Sequence, residues 1–171
     1  ARDILLRAQQ LALGIDPGIA DTGYGLIEHN QKGDLVCLTY GSIKTSKNDS
    51  LVERLFSLAE QLAALIDQYK PELAAIEELF FCNNAKTALV VGQARGVAML
   101  VCRQAGLRPL SYTPLQVKQA VTTYGGADKA QVQRMVKLLL NLKETPKPDD
   151  AADALAIAIC ASGSSELLAR K

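Results

Sequence analysis

Histidine occurs once in these 171 residues, and the four cysteines, Cys37, Cys82, Cys102 and Cys160, lie far apart with no CxxC pair. Neither a zinc centre nor a disulfide framework is suggested, and the thiols read as reduced and packed. His29 stands just before the polar turn HNQKGD and reads as a solvated turn residue with no catalytic role. No apolar run approaches the ~20 residues that span a bilayer, and no signal-peptide pattern opens the chain. The expectation is a soluble, cytoplasmic protein with no membrane partner. Charge of one sign is also missing, since 19 Lys and Arg against 18 Asp and Glu leave a net of only +1. No internal repeat or interdomain linker appears. With 49% apolar residues the chain is rich enough to bury a sizeable core, which argues for one folded domain and against disorder.

What is present begins with LALGIDPGIADTGYGLI, residues 11–27, which places Asp16 at the end of an otherwise apolar strand. A carboxylate in that setting needs a cation, a metal or a dense hydrogen-bond shell. Pro17 fixes the chain as it leaves the strand, and Gly18, Gly23 and Gly25 permit tight geometry before the next one. Three more acids lie in similar surroundings: Glu77 ends the run LAAIE, and Asp150 and Asp153 open DDAADALAIAI. The last two are three residues apart, so on a helix they share a face near its positive end.

Taken singly, each acid has an ordinary reading. An Asp in a GIDPG turn is a turn-former, and Asp149 or Asp150 after Pro148 is a helix cap. Their joint placement points elsewhere, to oxygen ligands for hard divalent cations. Magnesium fits best, because it keeps waters and binds substrate phosphates. Two such ions roughly 3.5–4 Å apart clamp both oxygens of an in-line phosphoryl displacement. That is nuclease chemistry.

The hydrophobic periodicity predicts strands over 11–16, 22–29 and 35–44, a capped amphipathic helix over 51–69 and a buried parallel strand over 73–77 that brings Glu77 beside Asp16. A long helix over 84–105 follows, carrying Ala85, Ala88, Gly92, Ala94, Gly96 and Ala98. Its glycines suggest a close backbone approach, either within the chain or across a dimer interface. The rest reads as a strand over 107–112 and helices over 114–121, 129–140 and 149–161, with Asp149 as the cap of the last.

Charge distribution matters more than the net. Between Thr113 and Lys147 stand six bases, Lys118, Lys129, Arg134, Lys137, Lys143 and Lys147, against the two acids Asp128 and Glu144. A local basic face of this kind can meet phosphates. Phe80 and Phe81, just past Glu77, form a paired aromatic signal that could stack on unpaired bases.

The ordered blocks LGIDPG, TGYG, AIE with Phe80, GQARGV, QVKQ, the 129–136 helix and DAADALAIAI resemble the RuvC-type Holliday-junction resolvases of bacteria, from about residue 11 to 161. The resemblance implies an α/β, ribonuclease-H-like fold: a mixed five-stranded sheet flanked by helices. It also implies a homodimer that makes paired, magnesium-dependent nicks in four-way DNA junctions during recombination and repair, with manganese able to substitute. On this match Asp16, Glu77, Asp150 and Asp153 are the metal acids, and Lys118 and Lys129 steady the reacting phosphate. Phe80 is the wedge at the junction centre and Phe81 is secondary to it, while the basic-face reading adds Arg134 and Lys137 to the DNA-binding residues. A branch-migration motor complex is a further candidate partner. Residues 11–162 then form the nuclease domain, with 1–10 as an extension and 163–171 as a tail. Rival readings are an RNA-processing nuclease of the YqgF type, a phosphate loop of the actin-like ATPase kind, which needs two such domains, and a non-catalytic junction-binding module.

Overall fold

The computed structural model describes residues 10–78 and 84–168. Phe80 and Phe81, residues 1–9 of the expected extension and residues 169–171 of the expected tail lie outside the described residues. In chain order the elements are β1 (Ala12–Asp16), β2 (Asp21–His29), β3 (Leu35–Lys44), α1 (Leu51–Tyr69), β4 (Leu73–Glu77), α2 (Ala85–Gln104), β5 (Leu110–Tyr112), α3 (Pro114–Thr122), α4 (Lys129–Leu139) and α5 (Asp149–Leu168). The strands form one mixed sheet in the order β3-β2-β1-β4-β5. β1, β2 and β3 make an antiparallel meander, whereas β4 joins β1, and β5 joins β4, in parallel.

Helix starts follow local chemistry. Ser50 accepts the Glu53 amide at the head of α1, and Asn84 accepts the amides of Lys86 and Thr87 at the head of α2. Capping boxes Thr113/Gln116 and Asp128/Gln131 open α3 and α4.

Strand alternation divides the core between the two faces of the sheet. Leu13, Ile15, Leu26, Ala74 and Ile76 pack towards α1 and α2. Ala12, Ile27 and Ala75 pack on the other side, with α3, α4 and α5. Gly14 and Asp16 share the face of Ala12, and Glu77 shares that of Ala75, so the alternation itself aims both acids at α5. The register reinforces this, because the parallel pairing of β1 with β4 reaches Ile15–Ile76, one step short of Asp16 and Glu77.

The glycines of the first motif serve this packing more than the turn. A Cβ on Gly14 would lie 2.0 Å from the Ala154 carbonyl oxygen, and one on Gly23 would lie 1.9 Å from that of Asp150. β1 and β2 thus leave a bare strip into which α5 sinks, burying Ala151, Ala152, Ala154, Leu155, Ala156, Ile157 and Ala158. A helix apolar on every side is a core helix.

Four details differ from the sequence expectations. β5 is only three residues long, because Pro109 has no amide to give a ladder. α5 continues to Leu168, so part of the expected tail is helical. His29 closes β2 and is not merely solvated: its Nε2 lies 2.6 Å from the hydroxyl of buried Ser162, fastening α5 to the end of the strand. Finally, α2 is long and apolar enough, by length and composition, to cross a bilayer. Its Ala94, Ala98, Val101 and Cys102 are instead buried in the core beside α1.

Candidate active site

Asp16 leaves the end of β1, Asp150 and Asp153 lie in the first turns of α5, and Gly23 permits the close approach between them. Carboxylate oxygens of all three lie within 4.8 Å of one another. Glu77, at the end of β4, lines a cavity of about 250 Å³ together with Asp153, Lys118, Lys129, Pro114, Val117, Val132 and Ala156. The four acids expected from the sequence, and both lysines, therefore meet at one end of the sheet.

The electrostatics are those of crowded, half-buried anions. Burial, followed by the charges of Glu77, Asp153 and Asp150, pushes the Asp16 carboxyl up to about 8. Burial and then Asp153 push Glu77 up to about 7, against the pull of Lys118 and Lys129. Burial also raises Asp150 and Asp153, the former with help from Asp21 and the latter against the pull of Lys129. Lys129 contacts Asp153 at 3.2 Å and Asp149 at 3.3 Å. Burial alone would lower its pKa, yet these acids raise it overall. The donor set is all oxygen, partly shielded and over-supplied with negative charge. It suits a divalent cation that prefers hard ligands.

Asp149 is not the cap expected of it. The Pro148 carbonyl takes that place by accepting the Ala151 and Ala152 amides. Asp149 instead receives a hydrogen bond from Gln133 at 3.1 Å and pairs with Lys129, contacts that hold its carboxyl below the ordinary range. Sequence reasoning also passed over Asp21. It accepts from Ser42 at 2.7 Å and pairs with Lys44 at 3.1 Å, close enough to Asp150 to raise its pKa. Its only sequence signal was an acid opening β2.

Arg134 is not brought to the acids. It borders a separate cavity with Thr122, Tyr124, Ala127, Gln131, Met135 and Leu138, and Lys137 follows in the last turn of α4.

A mixed sheet with carboxylates converging at the ends of its parallel central strands and on a flanking helix defines a ribonuclease-H-like nuclease. The family model described as "Crossover junction endodeoxyribonuclease RuvC" matches residues 12–161. Curated relatives of that description include one from Caldicellulosiruptor saccharolyticus, 55% identical over 86% of this chain and 89% of its own. Another, from Halothermothrix orenii, is 55% identical over 93% and 95%. Among solved structures, Thermus thermophilus RuvC superposes with a TM-score of 0.84 at 34% identity, covering 92% of this chain and 96% of that one. The same protein in complex with Holliday junction substrate gives 0.83 at 32%, with the same coverage. The yeast mitochondrial Holliday junction resolvase Ydc2, at 16% identity and a TM-score of 0.71, shares the fold. The chain belongs to the RuvC family of crossover junction endodeoxyribonucleases and is a hydrolase of that class. The RNA-processing and non-catalytic readings are not favoured.

Proposed function

We propose that this protein is a cytoplasmic, homodimeric endonuclease that resolves four-way DNA junctions by two symmetric, magnesium-dependent nicks in strands of like polarity. The observation carrying this reading is the convergence of Asp16, Asp150 and Asp153 within 4.8 Å, in a chain of the RuvC family. Asp16, central in the cluster, would anchor two ions, and Glu77, Asp150 and Asp153 would complete their shells. Bound there, divalent cations supply activation of water and neutralisation of the departing 3′ oxygen. Lys118 and Lys129, on the wall of the same cavity, would face the phosphate and stabilise the charge that grows on it. Arg134 and Lys137, farther along α4, would hold more distant phosphates, with Phe80 and Phe81 stacking on bases opened at the crossover.

Two identical sites about a two-fold axis suit two symmetric scissile bonds. α2 supports the dimer, since a Cβ on Gly96 would meet nothing within 4 Å in the monomer, while Leu89 and Leu100 stand 67% and 57% exposed. A branch-migration motor complex is the further partner proposed.

The test is incubation with labelled four-way junctions and with linear duplex, with and without magnesium. Paired nicks confined to the junction and dependent on the metal are expected. Asp16→Asn, Glu77→Gln and Asp153→Asn should each slow cleavage by at least ~100-fold while sparing junction binding. Asp149→Asn should be much milder than Asp150→Asn. Cleavage of linear duplex at an equal rate would overturn the junction reading.

A further inference from the structure

We propose that Arg95 of α2 is a positioning residue for Glu77, an inference that rests on the nuclease reading above. Glu77 is the last residue of β4, and its backbone is held unevenly. The pairing with β1 stops at Ile15–Ile76, whereas on the other side Glu77 pairs with Tyr112 of β5, and the Glu78 amide donates to the Tyr112 carbonyl at 2.8 Å. Arg95 reaches this strand end from the opposite face of the sheet to α5. Its Nε donates to the Glu77 carbonyl at 3.0 Å, one terminal nitrogen donates to Ser111 Oγ at 2.8 Å, and the other meets Met99 Sδ at 3.2 Å. Ser111 is the middle residue of β5, turned away from Leu110 and Tyr112, which pack with the α5-side core.

One planar, half-buried fork thus ties α2, β4 and β5 together at the residue whose carboxylate lines the cavity beside Asp153, next to the cluster of Asp16, Asp150 and Asp153. The rigidity of the guanidinium suits that task, because its donors keep fixed directions. Arg95 does not touch the reacting atoms. It fixes the backbone from which the Glu77 carboxylate is aimed.

The experiment uses Arg95→Met, Arg95→Lys and Ser111→Ala in the full chain, with four readouts. These are manganese(II) binding by calorimetry without DNA, the single-turnover nicking rate at saturating magnesium, junction affinity in chelator, and melting temperature. Arg95→Met should weaken manganese binding and slow nicking by roughly tenfold each, with junction affinity within about twofold of wild type, as expected when an outer partner of a ligand is lost. Arg95→Lys should recover part of the loss, and Ser111→Ala should show a smaller defect of the same kind. Wild-type manganese affinity and rate in Arg95→Met, accompanied only by a lower melting temperature, would overturn the proposal. If Arg95→Met fails to fold, wild-type behaviour of both other variants overturns it. Should the wild-type chain nick no junction, the nuclease reading falls while the manganese titrations still decide the role of Arg95.

Discussion

Asp16 owes its raised pKa to burial first and to Glu77, Asp153 and Asp150 after that, and the consequence for stability has a definite sign. The carboxyl titrates near 3.8 when unfolded and near 8 when folded, so between those values the native state binds more protons than the unfolded one. The contribution of Asp16 to the stability of the metal-free protein therefore falls as pH rises through that window. Asp16→Asn removes the penalty, so it should raise the melting temperature in chelator at pH 8 by a few degrees, 1 kcal/mol being worth about 2–4 °C at this size. The gain should shrink towards pH 4, where both proteins are neutral at this position. A variant that melts below wild type at pH 8 would show that the cluster is not repulsive. The acids were legible in the sequence because a carboxylate inside an apolar run is conspicuous. Asp149 was misread as a cap because Gln133 and Lys129, its partners, lie on α4 and are joined to it only by the fold. Asp21 escaped notice because its neutralising partners, Ser42 and Lys44, stand on the next strand.

At the scale of elements, α5 is the piece on which the site depends, since it carries two of the acids and is seated by glycines in other strands. Gly23→Ala puts a methyl group 1.9 Å from the Asp150 carbonyl oxygen, and that neighbour is backbone, which cannot swing aside. Overpacking of this kind costs about 1–3 kcal/mol. The first turn of α5 must lift, taking Asp150 away from Asp16. We expect a melting temperature lower by several degrees and weaker manganese binding, measured by calorimetry. Gly33→Ala is the control: its left-handed φ of 87 strains an alanine placed there, but a Cβ meets nothing within 4 Å. It should lose some stability and keep its metal affinity. Equal metal affinity in Gly23→Ala and wild type would show that the approach of α5 to β2 does not set the site. Periodicity located all ten elements found among the described residues, but it read these glycines as turn formers, since a helix packed across the sheet leaves no mark near them in sequence. Element ends were less legible. Pro109 visibly limits β5 once the ladder is known, whereas nothing in CASGSSELL announces a helix that runs to Leu168.

At the scale of the whole molecule, the net charge of +1 conceals a division of labour, with four acids gathered at the ends of β1 and β4 and the start of α5, and six bases spread along α3, α4 and the segment that follows. The same scale decides how many cuts one binding event makes. α2 buries only one side, and Gly96, Leu89, Met99 and Leu100 lie on its less covered surface, with Leu100 57% exposed. An apolar surface of that kind on a helix already anchored in the core is suited to a second copy. Sedimentation at micromolar concentration should therefore give about twice the 18.3 kDa chain mass. Leu100→Glu, which sets two like charges against each other across a two-fold axis, should return the chain to its single mass with an unchanged fold by circular dichroism. Because each active site is built from one chain, the monomeric variant should keep its manganese affinity. Its products should shift from two nicks made within one junction-binding event to single, uncorrelated nicks, read on a supercoiled plasmid bearing an extruded cruciform as nicked circle in place of linear DNA. A Leu100→Glu protein that remains dimeric, or a monomer that still linearises the plasmid in one step, would show that α2 is not the surface that coordinates the two cuts.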